Sequence, residues 1–400
     1  MLAHLSAATR QYLLITTNYW GFTLTDGALR MLVVLHFHSL GYSPLEVAML
    51  FLFYEIFGVI TNLVGGYLGA RFGLNRTMNI GLALQLVALS MLMLPDSYLS
   101  IAWVMAAQAV SGIAKDLNKM SAKSAIKMLV PEDNSSGLYK WVALLTGSKN
   151  ALKGLGFFLG GLLLALFGFQ GAMMAMALAL AIIWLMSLVK LKNDLGKSAF
   201  KPKFRQLFSK TPAINHLAAA RLFLFAARDV WFVVALPICL MTELGWLSSE
   251  VGSFLALWVI GYGAVQSIAP KLTHNQINRN PGVHAASWAS CLAIIMLPIA
   301  LFLNVYGPNT WILVIGLLVF GVAFAINSSL HSFLIVDYAD AKGVSLDVGF
   351  YYMANACGRL LGTVLSGVTY QQFGLAACLW LSCLFVIIAA AFSLKLKPKI

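Results

Sequence analysis

Apolar residues run through this chain in long blocks, and polar residues fall in short groups between them. Gly, Pro and charged residues divide the 400 residues into twelve apolar stretches. Most are about 20 residues or longer, the length an α-helix needs to cross a bilayer. They are 11–36, 45–69, 77–94, 99–122, 138–165, 169–190, 213–242, 249–270, 283–303, 309–336, 345–372 and 375–394. The pattern predicts an all-α membrane protein with twelve transmembrane helices. The first stretch carries Asp26 and Arg30 and lacks a small-residue cleavage pattern, so it reads as a span and not as a cleaved signal.

Composition agrees. The chain is 60% hydrophobic and 10% charged, whereas a soluble domain carries about 25% charge. Arg10, Arg71, Arg76, Lys123 through Lys140, the segment 190–210, Lys271, Arg279, Lys342 and the C-terminal lysines all fall on one side of the predicted spans. The opposite loops hold only Glu46, Asp96, Glu243 and Glu250. Basic loops face the cytoplasm, so both termini are expected there, in an inner membrane. The net charge of +13 is mainly this topology signal, and it does not point to nucleic acid.

Several chemistries find no support. The five cysteines lie in apolar spans without a C-x-x-C and read as small hydrophobes. His36 and His38 in "HFH" sit at a predicted outer helix end, where a solvated loop explains them better than a metal. Within the spans there is no HExxH, no GxSxG and no pair of carboxylates at helical spacing. No catalytic residue, metal or cofactor is expected.

The sequence also repeats itself. "LGYSPLEV" at Leu40 returns as "LGWLSSEV" at Leu244, an offset of 204. Lys153, Gly156, Gly161, Phe167 and Gly168 return as Arg359, Gly362, Gly367, Phe373 and Gly374, an offset of 206. Two matches in the same order imply a duplicated six-helix unit with parallel halves. The predicted organisation is an N-terminal half, 1–189, a basic cytoplasmic linker, 190–212, and a C-terminal half, 213–400.

Charges inside the spans carry the functional signal. Eight basic residues remain once the loops are removed: Arg30, Lys115, Lys119, Lys149, Lys153, Arg221, Arg228 and Arg359. Four acids accompany them: Asp26, Glu55, Asp116 and Asp229. Each charge at a helix centre costs roughly 2.5–3.5 kcal/mol, so these residues must pair, face water or bind something charged. Asp26 and Arg30 are four apart and able to pair. Arg228 and Asp229 adjoin, and their different directions suggest partners on other helices. The acids are candidates for ion pairs or proton coupling. They cannot neutralise all the bases, and the excess suits a polyanion. Arginine offers a two-bond grip on phosphate and lysine a mobile point charge. Lys115, Lys119, Lys123 and Lys127 form a ladder at four-residue spacing. The first two belong with the anion site, and the outer two are either an electrostatic path or ordinary positive-inside lysines.

Twelve helices in two halves with a basic linker resemble the major facilitator superfamily. Its signature between helices 2 and 3, G-x-x-x-D-R-x-G-R-R, is matched here by Gly66, Arg71 and Gly73, but Ala70 replaces the acid and Arg76 alone remains of the basic pair. The resemblance implies a central cavity lined by helices 1, 4, 7 and 10 with help from 5 and 11. Arg30, Lys115, Lys119, Lys149, Lys153, Arg228 and Arg359 then become substrate-binding candidates.

A narrower resemblance follows. "NYWGFTLTDGALRMLVVLHFHSLGYSP", "SGIAKDLNKMSAKSAIK", "LTGSKNALKGLGFFLGG", "RDVWFVV" and "LALWVIGYG" look like the ArsJ organoarsenical efflux permeases, from about Tyr12 to beyond Lys271. That resemblance implies a monomeric exporter of 1-arseno-3-phosphoglycerate, which glyceraldehyde-3-phosphate dehydrogenase makes from arsenate. The molecule carries roughly three to four negative charges near neutral pH. The competing readings are a carrier or antiporter of organic phosphates and, from a different class, a membrane-embedded enzyme or lipid-handling protein.

Overall fold

The computed structural model describes residues 7–42, 50–129, 135–191, 211–246, 248–273, 280–340 and 344–398. Its regular structure is entirely helical among the described residues. The helices are α1 (Ala7–Ser39), α2 (Leu52–Phe72), α3 (Leu74–Met91), α4 (Ile101–Leu129), α5 (Ser135–Lys190), α6 (Pro212–Phe232), α7 (Ala235–Thr242), α8 (Ser248–Thr273), α9 (Pro281–Tyr306), α10 (Thr310–Tyr338) and α11 (Val344–Ser393). The predicted linker, 190–212, lies almost wholly outside the described residues, as do Glu46, Arg279 and Lys342.

These helices account for the twelve predicted spans. α5 and α11 each contain two, bent at Gly168 (φ 66°, ψ −177°) and Gly374 (φ 74°, ψ −176°). Both angles lie where a Cβ would clash. The two glycines are equivalent in the sequence repeat and turn the chain in the same way. Gly41 and Gly245, the other repeated pair, also share positive φ, at 91° and 69°.

Two spans differ from expectation. The predicted stretch 213–242 is broken into α6 and α7 at Val233 and Val234. Pro237 lacks the N–H that would bond Val233, and its ring crowds that carbonyl. The Ala235 N–H, freed at the break, donates instead to Ser366 Oγ (3.0 Å). α4 runs on to Leu129, so Lys123 and Lys127 are helical, not loop residues, and Lys123 is only 2% exposed.

The chain divides into two compact units. One comprises Met1–Trp141, Ser148–Phe208 and Ala339–Met353; the other comprises Val142–Gly147, Ser209–Tyr338 and Ala354–Ile400. In the first, α4 packs against α1, α2 and α3. Asn18 donates to Ser187 Oγ (2.8 Å) and Ser187 to Asn79 Oδ1 (2.5 Å), tying α1, α5 and α3 together. Buried polar groups of this kind fix register because an unpaired one is costly. In the second unit α10 packs against α6, α8 and α9. Trp258 donates to the Leu317 carbonyl (2.9 Å), and Trp231, Phe320 and Phe324 fill the space beside it.

Glycines set the closest helix crossings, and again the repeat is visible. A Cβ on Gly156 of α5 would lie 2.7 Å from the Leu24 carbonyl of α1, and one on Gly362 of α11 would lie 2.8 Å from the Ala226 carbonyl of α6. These crossings bring Lys153 and Arg359, each three residues earlier, toward α1 and α6. Gly156→Val and Gly362→Val are therefore expected to cost about 1–3 kcal/mol by overpacking. Gly367→Val, whose Cβ would meet nothing within 4 Å, should leave the thermal midpoint in detergent unchanged. Equal midpoints for all three variants would contradict this account of the crossings.

Candidate functional site

Within the first unit, charges from α1, α2 and α4 gather around Tyr54. Its hydroxyl donates to Asp26 Oδ1 (2.6 Å). Its ring faces two cations, with the Arg30 guanidinium carbon 4.9 Å and Lys115 Nζ 3.8 Å from the centroid. Arg30 bonds Glu55 Oε1 (3.3 Å). The expected Asp26–Arg30 pairing is thus replaced, because Tyr54 takes the aspartate and α2 presents Glu55 to the arginine. Asp116, on α4, binds Lys119 one turn ahead through Oδ1 (2.5 Å), while Lys115 stands 3.6 Å from Oδ2. Lys119 also lies 4.7 Å from the Tyr352 ring.

The second unit repeats this chemistry with different parts. Asp229 Oδ1 receives Nε (2.6 Å) and Nη2 (2.5 Å) of Arg228, its neighbour in the chain. The expectation that these two point apart fails because arginine is long enough to fold back onto the next residue. Arg359, delivered by the Gly362 crossing, brings Nε to 3.5 Å from Asp229 Oδ2. Arg228 lies over Phe225 (4.8 Å) and Phe324 (5.5 Å). Such ring faces stabilise a desolvated cation by as much as about 2 kcal/mol. Arg221 has a different task. It is 3% exposed, donates to Asn355 Oδ1 (2.8 Å) and to the Ser328 carbonyl (3.1 Å) and hydroxyl (3.0 Å), and so braces α6 against α10 and α11.

Both clusters share one geometry. The carboxylate is behind, with 1% of its side chain exposed, and two cations stand in front of it, with 13–16% exposed for Lys119, Lys115 and Arg228 and 26% for Arg359. Asp116 faces two lysines and Asp229 two arginines, while in the first unit Asp26 and Glu55 add two further carboxylates beside Tyr54 and Arg30. At about 4 Å a charge pair contributes roughly 4 kcal/mol in a medium of effective dielectric near 20, which offsets part of the cost of placing charged side chains in an apolar bundle. The more exposed side of each cluster is the one that carries the positive charge.

Lys149 and Lys153 lie half-buried on the first arm of α5. A Cβ on Gly27 would come 2.8 Å from the Lys153 carbonyl, so this lysine is carried beside the chain neighbour of Asp26. His36 is not a solvated loop residue. Its ring stacks on Phe169 at 4.0 Å and bonds Asp96 Oδ1 (3.0 Å), while the side chain of His38 lies outside the described residues. Among the described residues no group of three metal-binding side chains converges.

The model of the Major Facilitator Superfamily matches residues 12–233 and 217–399. The chain belongs to the major facilitator superfamily. Solved superfamily structures share the fold at low identity. The human organic anion transporter MFSD10 (TETRAN) superposes with TM-score 0.76 and 15% identity over 97% of this chain and 100% of its own. The E. coli fucose:proton symporter FucP gives 0.72 and 11% over 97% and 98%. A bacterial homologue of the iron transporter ferroportin, in its outward-facing state, gives 0.72 and 14% over 96% and 99%. Among curated protein sequences none matches significantly. The protein is a multi-pass membrane transporter of this superfamily.

Some members of the clusters escape sequence reasoning. Tyr54, Tyr352, Phe225 and Phe324 look like any other aromatic in an apolar run, and only the adjacency of Tyr54 to Glu55 hints at its role. Asp347 lies in the eleventh span, 8% exposed, and adds an acid to the intramembrane count. Lys123 adds a base, so the difference between bases and acids is unchanged. Tyr54 permits a separation of effects. Tyr54→Phe loses only the bond to Asp26, at a cost of about 1–3 kcal/mol, whereas Tyr54→Leu also loses the ring faces under Arg30 and Lys115. The expected order of thermal midpoints is wild type, then Phe, then Leu. Coincident Phe and Leu midpoints would mean that the ring faces contribute nothing.

Proposed function

We propose that this transporter exports a small polyanionic organoarsenical, 1-arseno-3-phosphoglycerate, by alternating access and thereby confers resistance to arsenate. The observation that carries the reading is that one buried carboxylate faces two cations in each unit, Asp116 two lysines and Asp229 two arginines. A site built to bind a neutral sugar has no need of such charge, and each charge in a bilayer is costly. 1-Arseno-3-phosphoglycerate, with a phosphate at one end and an arsenate ester at the other, offers the oxyanions that such cations pair with. The stretches around "TDGALR" and the lysine ladder, which resemble the organoarsenical permeases, supply the identity of the cargo. The fold is also that of a transporter described as carrying organic anions.

Arg30, Lys115, Lys119, Lys149, Lys153, Arg228 and Arg359 are the proposed substrate-binding set, in a monomer of the inner membrane with both termini cytoplasmic. An inside-negative potential drives anions outward with about 2.3 kcal/mol per charge per 100 mV, sufficient for export without a coupled ion. A functional link to glyceraldehyde-3-phosphate dehydrogenase follows, since that enzyme makes the cargo.

Lys115→Ala and Arg228→Ala are each expected to abolish arsenate resistance at normal membrane levels; full resistance in either would remove that residue from the site. In everted vesicles, arsenic accumulation should require arsenate, the dehydrogenase and its substrates together. Accumulation of free arsenate without the enzyme would overturn the organoarsenical reading. Transport of organic phosphates alone, with no arsenic accumulation, would turn it toward an organic-phosphate carrier.

A further inference from the structure

Asp116 and Asp229 each lie against two cations. In each cluster one cation grips Oδ1 closely and the other stands off from Oδ2. Lys119 and Arg228 are the tight partners, both at 2.5 Å; Lys115 at 3.6 Å and Arg359 at 3.5 Å are the loose ones. The loose distances exceed good hydrogen-bond length. Both acids also lie close to a glycine of a neighbouring helix. A Cβ on Gly58 would lie 2.8 Å from Asp116 Oδ2 and 3.7 Å from Lys115 Nζ, and one on Gly362 would lie 2.8 Å from Asp229 Cβ. Two helices from unrelated positions of the repeat thus arrive at a similar arrangement: a recessed carboxylate beside a glycine of a neighbouring helix, with two partly exposed cations against it.

We propose that Asp116 and Asp229 are resident anions, which neutralise the binding cations in the empty transporter and are displaced from them when the cargo's oxyanions arrive. This rests on the reading of the clusters as an anion site. The argument is electrostatic. Two cations without a carboxylate between them would repel one another in low dielectric, so the empty site needs an internal anion. A carboxylate with two partners bonds one well and leaves the other at Coulombic range, where an oxyanion with several acceptor oxygens competes effectively. Binding then proceeds by exchange, beginning at Lys115 and Arg359. An internal competitor lowers apparent affinity by the fraction of sites it occupies. Asp116 and Asp229 are therefore positioning residues that set how tightly anions bind and how readily they leave.

The test uses the purified full chain in detergent, with 3-phosphoglycerate and inorganic phosphate as probes and the thermal midpoint as readout. Asp116→Asn and Asp229→Asn should each lower the anion-free midpoint and reduce the half-saturating 3-phosphoglycerate concentration by about ten-fold or more. A purely structural aspartate would lower the midpoint and leave half-saturation where it was, and that result overturns the proposal. The unmutated protein provides a second measurement should either variant fail to fold. With 13C-labelled aspartate, phosphate addition should shift an aspartate carboxylate stretching band in the infrared difference spectrum; an unshifted band at saturating phosphate contradicts exchange. Binding and band shift without arsenic export would sink the organoarsenical reading and leave the resident anions intact. If neither probe affects the wild type or the variants, both readings fall.

Discussion

Ionised side chains inside a membrane bundle are tolerated only with partners, and this constraint shapes the protein. Asp116 and Asp229 carry the main burden, each placed between two cations and each sealed from solvent. Removing one member of such a cluster leaves a buried charge uncompensated, which typically costs 3–5 kcal/mol. The Gly362 crossing brings Arg359 to Asp229, and the brace made by Arg221 ties α6 to α10 and α11 beside it. Aromatic faces do the rest, since Tyr54, Tyr352, Phe225 and Phe324 give the cations a polarisable surface where water is scarce.

The repeat supplies the scaffold without dictating the chemistry. Gly168 and Gly374, Gly41 and Gly245, and Gly156 and Gly362 perform the same tasks in the two halves. The clusters are built differently. In the first unit both cations come from α4 itself, at positions one before and three after the acid. In the second, one cation is the acid's neighbour in the chain and the other crosses from α11. A duplicated frame thus carries two charge clusters assembled by separate routes.

Much of this architecture is legible in the sequence because hydropathy and repeated glycines are local signals. The spans, the equivalence of Gly168 with Gly374 and the excess of intramembrane bases can all be read from residue order. Pairing is harder to read. Hydropathy ends the fourth span at Ala122, just before Lys123, yet the helix runs on to Leu129 and buries Lys123. Helical geometry separates adjacent residues by about 100°, which argues against an Arg228–Asp229 pair, but the length of the arginine overrides it. The role of Tyr54 depends on which helix faces α2, and no spacing rule encodes that.

The account's central claim is that the membrane-embedded cations bind and carry organic anions. Its most direct test is the current from proteoliposomes on a solid-supported membrane after a rapid concentration jump. A jump of 3-phosphoglycerate should give a saturable transient with the sign of negative charge entering the protein, and a jump of a neutral sugar such as xylose should give none. A transient with the sugar and none with the anion would contradict the account.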